Sequence, residues 1–260
     1  MSGLRALVTN DDGISSEGLP ALARVALDLG LQVVVAAPRQ DTSGASASLT
    51  AVEADGRVVV ERRELPALDS VPAFAVGAVP GFIALIASRG AFGPPPDVVL
   101  SGVNLGHNTG HAILHSGTVG AAMTACTTGR RALAVSIGAG ASVHWATAGE
   151  AARRTLPHLL EADEPVVWNL NVPNVAPASV RGLRRARLAD FGAVQTNIAE
   201  VGEGYVKVAV ADVDAELEPD TDAALLAAGY ASITPLVPIC EAVHEELAWL
   251  TSTGALQAPR

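Results

Sequence analysis

Apolar residues fall in short runs broken by polar turns, and the spacing within the runs alternates between the period of a strand and that of a helix. Residues 4–9 form a brief apolar run ending in Asn10-Asp11-Asp12-Gly13, the pattern of a buried strand feeding a turn. Leu19, Leu22, Ala23, Ala26 and Leu29 then share one face at helical spacing, with Ser15 or Ser16 able to cap the start and Gly30 the end. Residues 31–37, rich in Val and stopped by Pro38, predict a second strand. Strand, helix, strand in this order is a βαβ unit with a right-handed crossover.

The alternation continues with strands predicted over 72–76, 97–100, 132–137 and 166–172, and helices over 80–88, 118–127 and 146–160. An α/β fold follows: a doubly wound, mostly parallel sheet of five or more strands. Beyond Pro173 the pattern changes. Residues 181–188 and 205–210 read as paired strands of an excursion, 231–237 as a returning strand, and 241–250 as a terminal helix. The chain is therefore expected to be one domain over 1–260, with a core over 1–173 and a β-rich C-terminal arm over 174–260. No repeat or low-complexity tract interrupts it.

Composition sharpens this picture. Apolar residues make up 49% of the chain but aromatics only 3%, so the core must be built from Ala, Val, Leu and Ile, which suits helices on a buried parallel sheet. With 17 basic against 27 acidic residues and a formal charge of −10, the chain lacks the footprint of a duplex nucleic-acid binder. Lys207 is the only lysine, so positive charge for a phosphate must come from elsewhere, and a metal ion can supply it. No secretory pattern and no apolar stretch of ~20 residues is visible, so no membrane partner is expected and the expected location is cytoplasmic. Cys126 and Cys240 are then expected to be reduced and buried.

In an open parallel sheet, ligands bind beyond the carboxyl ends of the strands, which singles out three polar segments. These are Asn10-Asp11-Asp12-Gly13, Asp41-Thr42-Ser43-Gly44 and Ser101-Gly102-Val103-Asn104. Adjacent carboxylates at Asp11 and Asp12 repel each other. One hard divalent cation, Mg²⁺ or Mn²⁺, relieves that repulsion and takes further oxygen ligands from Ser43 and Asn104. A fourth segment, Ser116-Gly117-Thr118, opens a predicted helix and can cradle phosphate with its backbone amides. Both segments also have plainer readings, the acids as a turn and Ser116 as an ordinary helix cap. The glycines at 102, 106 and 110 do not match a dinucleotide fingerprint. His107, His111 and His115 have the spacing of one helical face, but Gly106, Asn108, Thr109 and Gly110 argue for a loop, so a zinc site is the weaker reading and an acid or substrate contact the stronger.

Five ordered blocks together are distinctive: Val8-Thr9-Asn10-Asp11-Asp12-Gly13, Ser43-Gly44-Ala45-Ser46 with Ser48-Leu49-Thr50, Ser101-Gly102-Val103-Asn104, Ser116-Gly117-Thr118-Val119, and Gly229-Tyr230-Ala231-Ser232-Ile233-Thr234-Pro235-Leu236. Taken in order, they resemble the SurE family of 5′/3′-nucleotidases. The resemblance implies a Rossmann-like core, a C-terminal segment used to form a homodimer or homotetramer, and divalent-metal hydrolysis of nucleoside monophosphates. It places one metal ion per subunit on Asp11, Asp12, Ser43 and Asn104, the two acids also being catalytic. It places phosphate or substrate contacts at Asn10, Asn108, Ser116, Gly117 and Thr118. His107, His111 or His115 is the candidate to protonate the leaving oxygen. The chain departs from the family pattern at His115, His111 and Ala112, and in Gly77-Ala78-Val79-Pro80-Gly81-Phe82, all near the expected substrate end. Two alternatives stay open: a phosphatase for another small phosphate ester, and a non-catalytic metal- and nucleotide-binding regulator.

Overall fold

The apolar runs assemble into one nine-stranded sheet, seen in a computed structural model that describes residues 3–51, 53–66, 68–190, 194–202, 205–212 and 217–240. In chain order its elements are β1 (Arg5–Thr9), α1 (Gly18–Asp28), β2 (Gln32–Pro38), the short pair β3 (Glu53–Ala54) and β4 (Arg57–Val58), β5 (Val60–Arg63), β6 (Ala73–Val76) and α2 (Pro80–Ser88). Next come β7 (Val98–Leu105), α3 (Gly117–Thr127), β8 (Arg131–Ile137), α4 (Trp145–Leu160) and β9 (Val167–Val172). The chain continues through β10 (Leu183–Arg185), β11 (Val194–Gly202), β12 (Tyr205–Asp212), α5 (Asp222–Ala227) and β13 (Ala231–Leu236).

The strand order is β10-β13-β9-β8-β7-β1-β2-β6-β5. The six central strands from β9 to β6 are parallel, while β13 runs antiparallel to β9 and β5 antiparallel to β6. From β1 the chain winds outward through β2 to β6, then returns to β1's other side and winds the opposite way through β7, β8 and β9. The crevice between the carboxyl ends of β1 and β7 is thus the topological switch point, where open α/β sheets bind ligands. That topology puts Asp11, just past β1, and Asn104, near the end of β7, at the ends of two neighbouring parallel strands.

Two apolar layers cover the sheet. One face packs α1 and α4 through Leu19, Leu22, Ala26, Ala152, Leu156 and Leu159; the other packs α2 and α3 through Ile83, Ala84, Val119, Ala122 and Ala125. The second layer is rich in alanine. At Gly120 of α3 a Cβ would lie 2.4 Å from the Ser46 carbonyl oxygen, so only glycine lets the helix settle on the loop after β2.

Several expectations are modified. Ser15 and Ser16 do not cap α1: its N-cap is Glu17 without a side-chain bond, because Ser16 Oγ accepts from Asn10 Nδ2 at 2.6 Å. Strand β7 runs on to Leu105 through a register shift between Ser101 and Asn104. The expected pairing of 181–188 with 205–210 does not occur. β10 joins β13 on the main sheet, and the hairpin is β11 with β12. Helix α5 and strand β5 were not anticipated. Cys126 is half-buried and Cys240 exposed, both free, so full burial holds for neither. The expected helix over 241–250 lies outside the described residues.

Candidate active site

The turn after β1 is built by Asn10. Its Oδ1 accepts from Gly13 N–H at 3.1 Å, and its Nδ2 donates to Gly13 O and Ser16 Oγ. Gly13 holds φ +98° against the backbone of Gln40, where a Cβ would lie 3.1 Å from the Gln40 carbonyl carbon. Asn10 is fully buried and its amide is used inside the turn, so the structure gives it the work of shaping the loop that presents Asp11 and Asp12.

Asp11 is 3% exposed. Thr118 Oγ1 donates to its Oδ1, although the two residues are 107 apart in sequence. At Gly117 a Cβ would stand 2.8 Å from both Asp11 Cβ and Oδ2, so the start of α3 presses against this carboxylate and only glycine fits. Burial pushes the Asp11 carboxyl up, opposed by its bonds to Thr118 and reinforced by the charge of Asp41. Asp12, half-buried, is pushed up to about 6, first by burial and then by the charges of Asp11 and Asp41.

Asp41 opens the second polar segment singled out in the sequence, although no role was assigned to it there. It sits on the exposed loop after β2, and bonds from Ser43 Oγ at 2.6 Å and Ser43 N–H at 2.7 Å hold its carboxyl below the usual range. The loop is tied to the site by Thr42, whose N–H donates to Asp11 O at 2.8 Å. Ser43 is therefore on the segment adjoining the acids, but its hydroxyl is given to Asp41. Asn104, on β7, donates Nδ2 to Gly106 O at 2.8 Å, which leaves its Oδ1 as the end that can meet a cation.

This donor set is all oxygen, and the charges of Asp11 and Asp41 both bear on Asp12. Ionising the adjacent pair Asp11 and Asp12 together at this partly buried turn is costly, and a hard cation would remove the cost. Among the described residues no group of three or more His, Cys, Asp and Glu suits a metal, so the histidine-rich zinc reading has no support here. His107 is half-buried with Nε2 2.9 Å from Val172 O, while His111 and His115 are exposed. They lie in a loop followed by a 3-10 turn, Gly110–His115, and not on an α-helix.

Asn108 is held from beneath. Its N–H donates to Asn171 Oδ1 and its Nδ2 to Ser136 Oγ, while its carbonyl accepts from Asn169 Nδ2 and Asn171 Nδ2, each at 2.8 Å. Sequence reading missed Asn169, Asn171 and Ser136. The signal was there in Asn169-Leu170-Asn171, two amides at strand period in an otherwise apolar run. At the start of α3, Ser116 Oγ accepts from Val119 N–H, a true N-cap. So Ser116 and Thr118 direct their hydroxyls to the helix and to Asp11.

A family model described as survival protein SurE matches residues 6–193. The chain belongs to the SurE family. Curated SurE relatives named 5′-nucleotidase are 35% identical over 243 residues in Brucella abortus (strain S19) and 33% identical over 241 residues in Neisseria gonorrhoeae, each alignment covering 90% of this chain and 92% of the relative. The crystal structure of the SurE protein from Aquifex aeolicus superposes with a TM-score of 0.76 at 26% identity, covering 94% of this chain and 96% of that one. The SurE match contains all four sequence-predicted metal residues and the start of α3. Among the described residues, no helix is long and apolar enough to cross a membrane.

Proposed function

We propose that this SurE-family chain is a divalent-metal-dependent phosphomonoesterase that hydrolyses nucleoside 5′- and 3′-monophosphates to nucleoside and phosphate. The observation that carries the reading is the meeting of the Asp11-Asp12 pair with the start of α3 at the switch point of the sheet, sealed by Thr118 on Asp11.

Asp11, Asp12 and Asn104 Oδ1 would hold one Mg²⁺ or Mn²⁺, with Ser43 Oγ as fourth ligand through a lone pair left free while its O–H donates to Asp41. When bound, the cation supplies the positive charge that this lysine-poor chain lacks, neutralising phosphate and acidifying water. One carboxylate of the pair takes the proton of the attacking water. The second Nδ2 hydrogen of Asn108 and the Gly117 amide would be the donors offered to the phosphate oxygens, while Thr118 and Ser116 keep Asp11 and the helix in place. Of the three candidate histidines, exposed His111 or His115 would hand a proton to the leaving ribose oxygen, since burial disfavours the charged form of His107 and its Nε2 is engaged by Val172 O.

A cleft of about 450 Å³ opens beside the loop after β2, lined by Gln40, Thr42, Thr50, Arg63, Gly77 and Val79, and gives room for a nucleoside. Gly77 and Val79 belong to the stretch that departs from the family pattern. That favours one second reading, a SurE enzyme tuned to another small phosphate ester. Exposed Leu183, Val237 and Ile239 support a C-terminal interface in a homodimer or homotetramer, and two free thiols suit the reducing cytoplasm.

Phosphate release measured over a panel of nucleoside 5′- and 3′-monophosphates and sugar phosphates, with Mg²⁺, Mn²⁺ and chelator, separates these readings. Asp11→Asn is expected to lower metal-dependent turnover on the order of 10³-fold with the fold intact. Near-normal turnover in that variant would remove the carboxylate from the chemistry.

A further inference from the structure

Asp222 is fully buried, and both of its oxygens are engaged. Oδ2 accepts from Gly110 N–H at 2.9 Å, 112 residues away, and Oδ1 accepts from Ala189 N–H at 3.0 Å and Ala223 N–H at 2.9 Å. Capping does not account for it, since Thr221 caps α5 by accepting from Ala224 N–H. A carboxylate in such a place is costly unless its partners repay the cost, and burial does push the Asp222 carboxyl up against the backbone amides of Gly110, Ala189, Ala223 and its own residue, which favour its charge.

The far partner gives the arrangement its meaning. Gly110 opens the 3-10 turn Gly110–His115, which runs directly into Ser116 and the start of α3 on Asp11. The same loop is pinned two residues earlier by Asn108 on β8 and β9. It is therefore held from the sheet at His107 and Asn108, from the loop after β2 by Ser46 Oγ on Leu114 O, and from the C-terminal segment at Gly110. His107, in this loop, also feels the charge of Asp222.

We infer that Asp222 is a positioning residue for the active-site loop: through Gly110 it makes the C-terminal segment set the placement of Asn108, the histidines and the start of α3. The inference rests on the nucleotidase reading for its effect on turnover. Misplacement of substrate-contacting groups by ~1 Å can cost up to about 10²-fold in rate.

Asp222→Asn isolates the contact. An amide offers a single accepting oxygen; kept on Ala189 and Ala223 it saves two bonds, and its NH₂ then confronts the Gly110 N–H, donor against donor. Thr221→Ala serves as the control, because it weakens α5 without touching the loop. Hydrogen exchange by mass spectrometry and phosphate release are compared in the two variants and the wild type. The expected result is exchange over 106–116 at least about tenfold faster in Asp222→Asn, with β1 unchanged and a loss of about tenfold or more in kcat at little change in KM. Thr221→Ala is expected to lower Tm while keeping kcat. Unchanged exchange at 106–116 in Asp222→Asn, or an equal kcat loss in Thr221→Ala at equal Tm loss, overturns the inference. Should the wild type release no phosphate from any monophosphate, the nucleotidase reading fails, and the exchange comparison decides the positioning by itself.

Discussion

At His107, burial outweighs the neighbours that favour its charge. Enclosure lowers the imidazole pKa below 6.5, against the pull of Val172 O and the charge of Asp222. The folded chain then resists a proton that the unfolded chain accepts near pH 6.5, so this residue's contribution to stability is lost as pH falls through the window between the two values. Asp11 and Asp12, pushed up, act in the opposite sense, so the comparison of variant with wild type is what isolates His107. His107→Gln keeps a donor for Val172 O but removes the titrating site, and its Tm is expected to fall less than that of the wild type between about pH 7 and pH 5. Thermal melts across that range test it, and parallel curves would refute the assignment. At this scale the paired acids are legible in sequence because adjacency itself signals repulsion that needs relief. The Thr118 bond to Asp11 is not, because nothing local marks two residues 107 apart as neighbours. Asn10 illustrates the reverse: a polar residue in a site motif whose amide is used to shape a turn.

Among the elements, α3 does most to form the site, and its docking depends on missing side chains. Gly117 and Gly120 let it approach Asp11 and the Ser46 carbonyl at distances a Cβ would forbid. Gly117→Ala forces the helix start or the carboxylate to move, and is expected to cost about 1–3 kcal/mol of stability together with most of the turnover. Urea unfolding and phosphate release on the same preparation check this; a variant as stable and active as the wild type would show that the start of α3 does not frame Asp11. The helix itself was readable, as was α2 over Pro80–Ser88, because caps and prolines act within one turn. The pairing of β10, β5 and the β11-β12 hairpin was not, because edge strands are defined by the neighbour they find.

For the whole molecule the strongest test is linkage. A cation that binds only the folded chain raises its stability by about 2.7 kcal/mol at a hundred times its Kd. Mg²⁺ or Mn²⁺ is therefore expected to raise Tm, chelator to reverse the rise, and Asp11→Asn to abolish it; an equal rise in that variant would place the cation elsewhere. The sequence by itself determined the alternating strands and helices, hence an open α/β sheet, and it set a carboxylate pair directly after the first strand, because period and turn chemistry are local. Only the tertiary structure decided that the chain reverses its winding between β1 and β7, putting Asp11 and Asn104 at the ends of neighbouring strands that flank one crevice, and that Asn171 and Asp222 grip the loop above it. Strand order arises from pairing over long separations, which leaves no periodic trace in the chain.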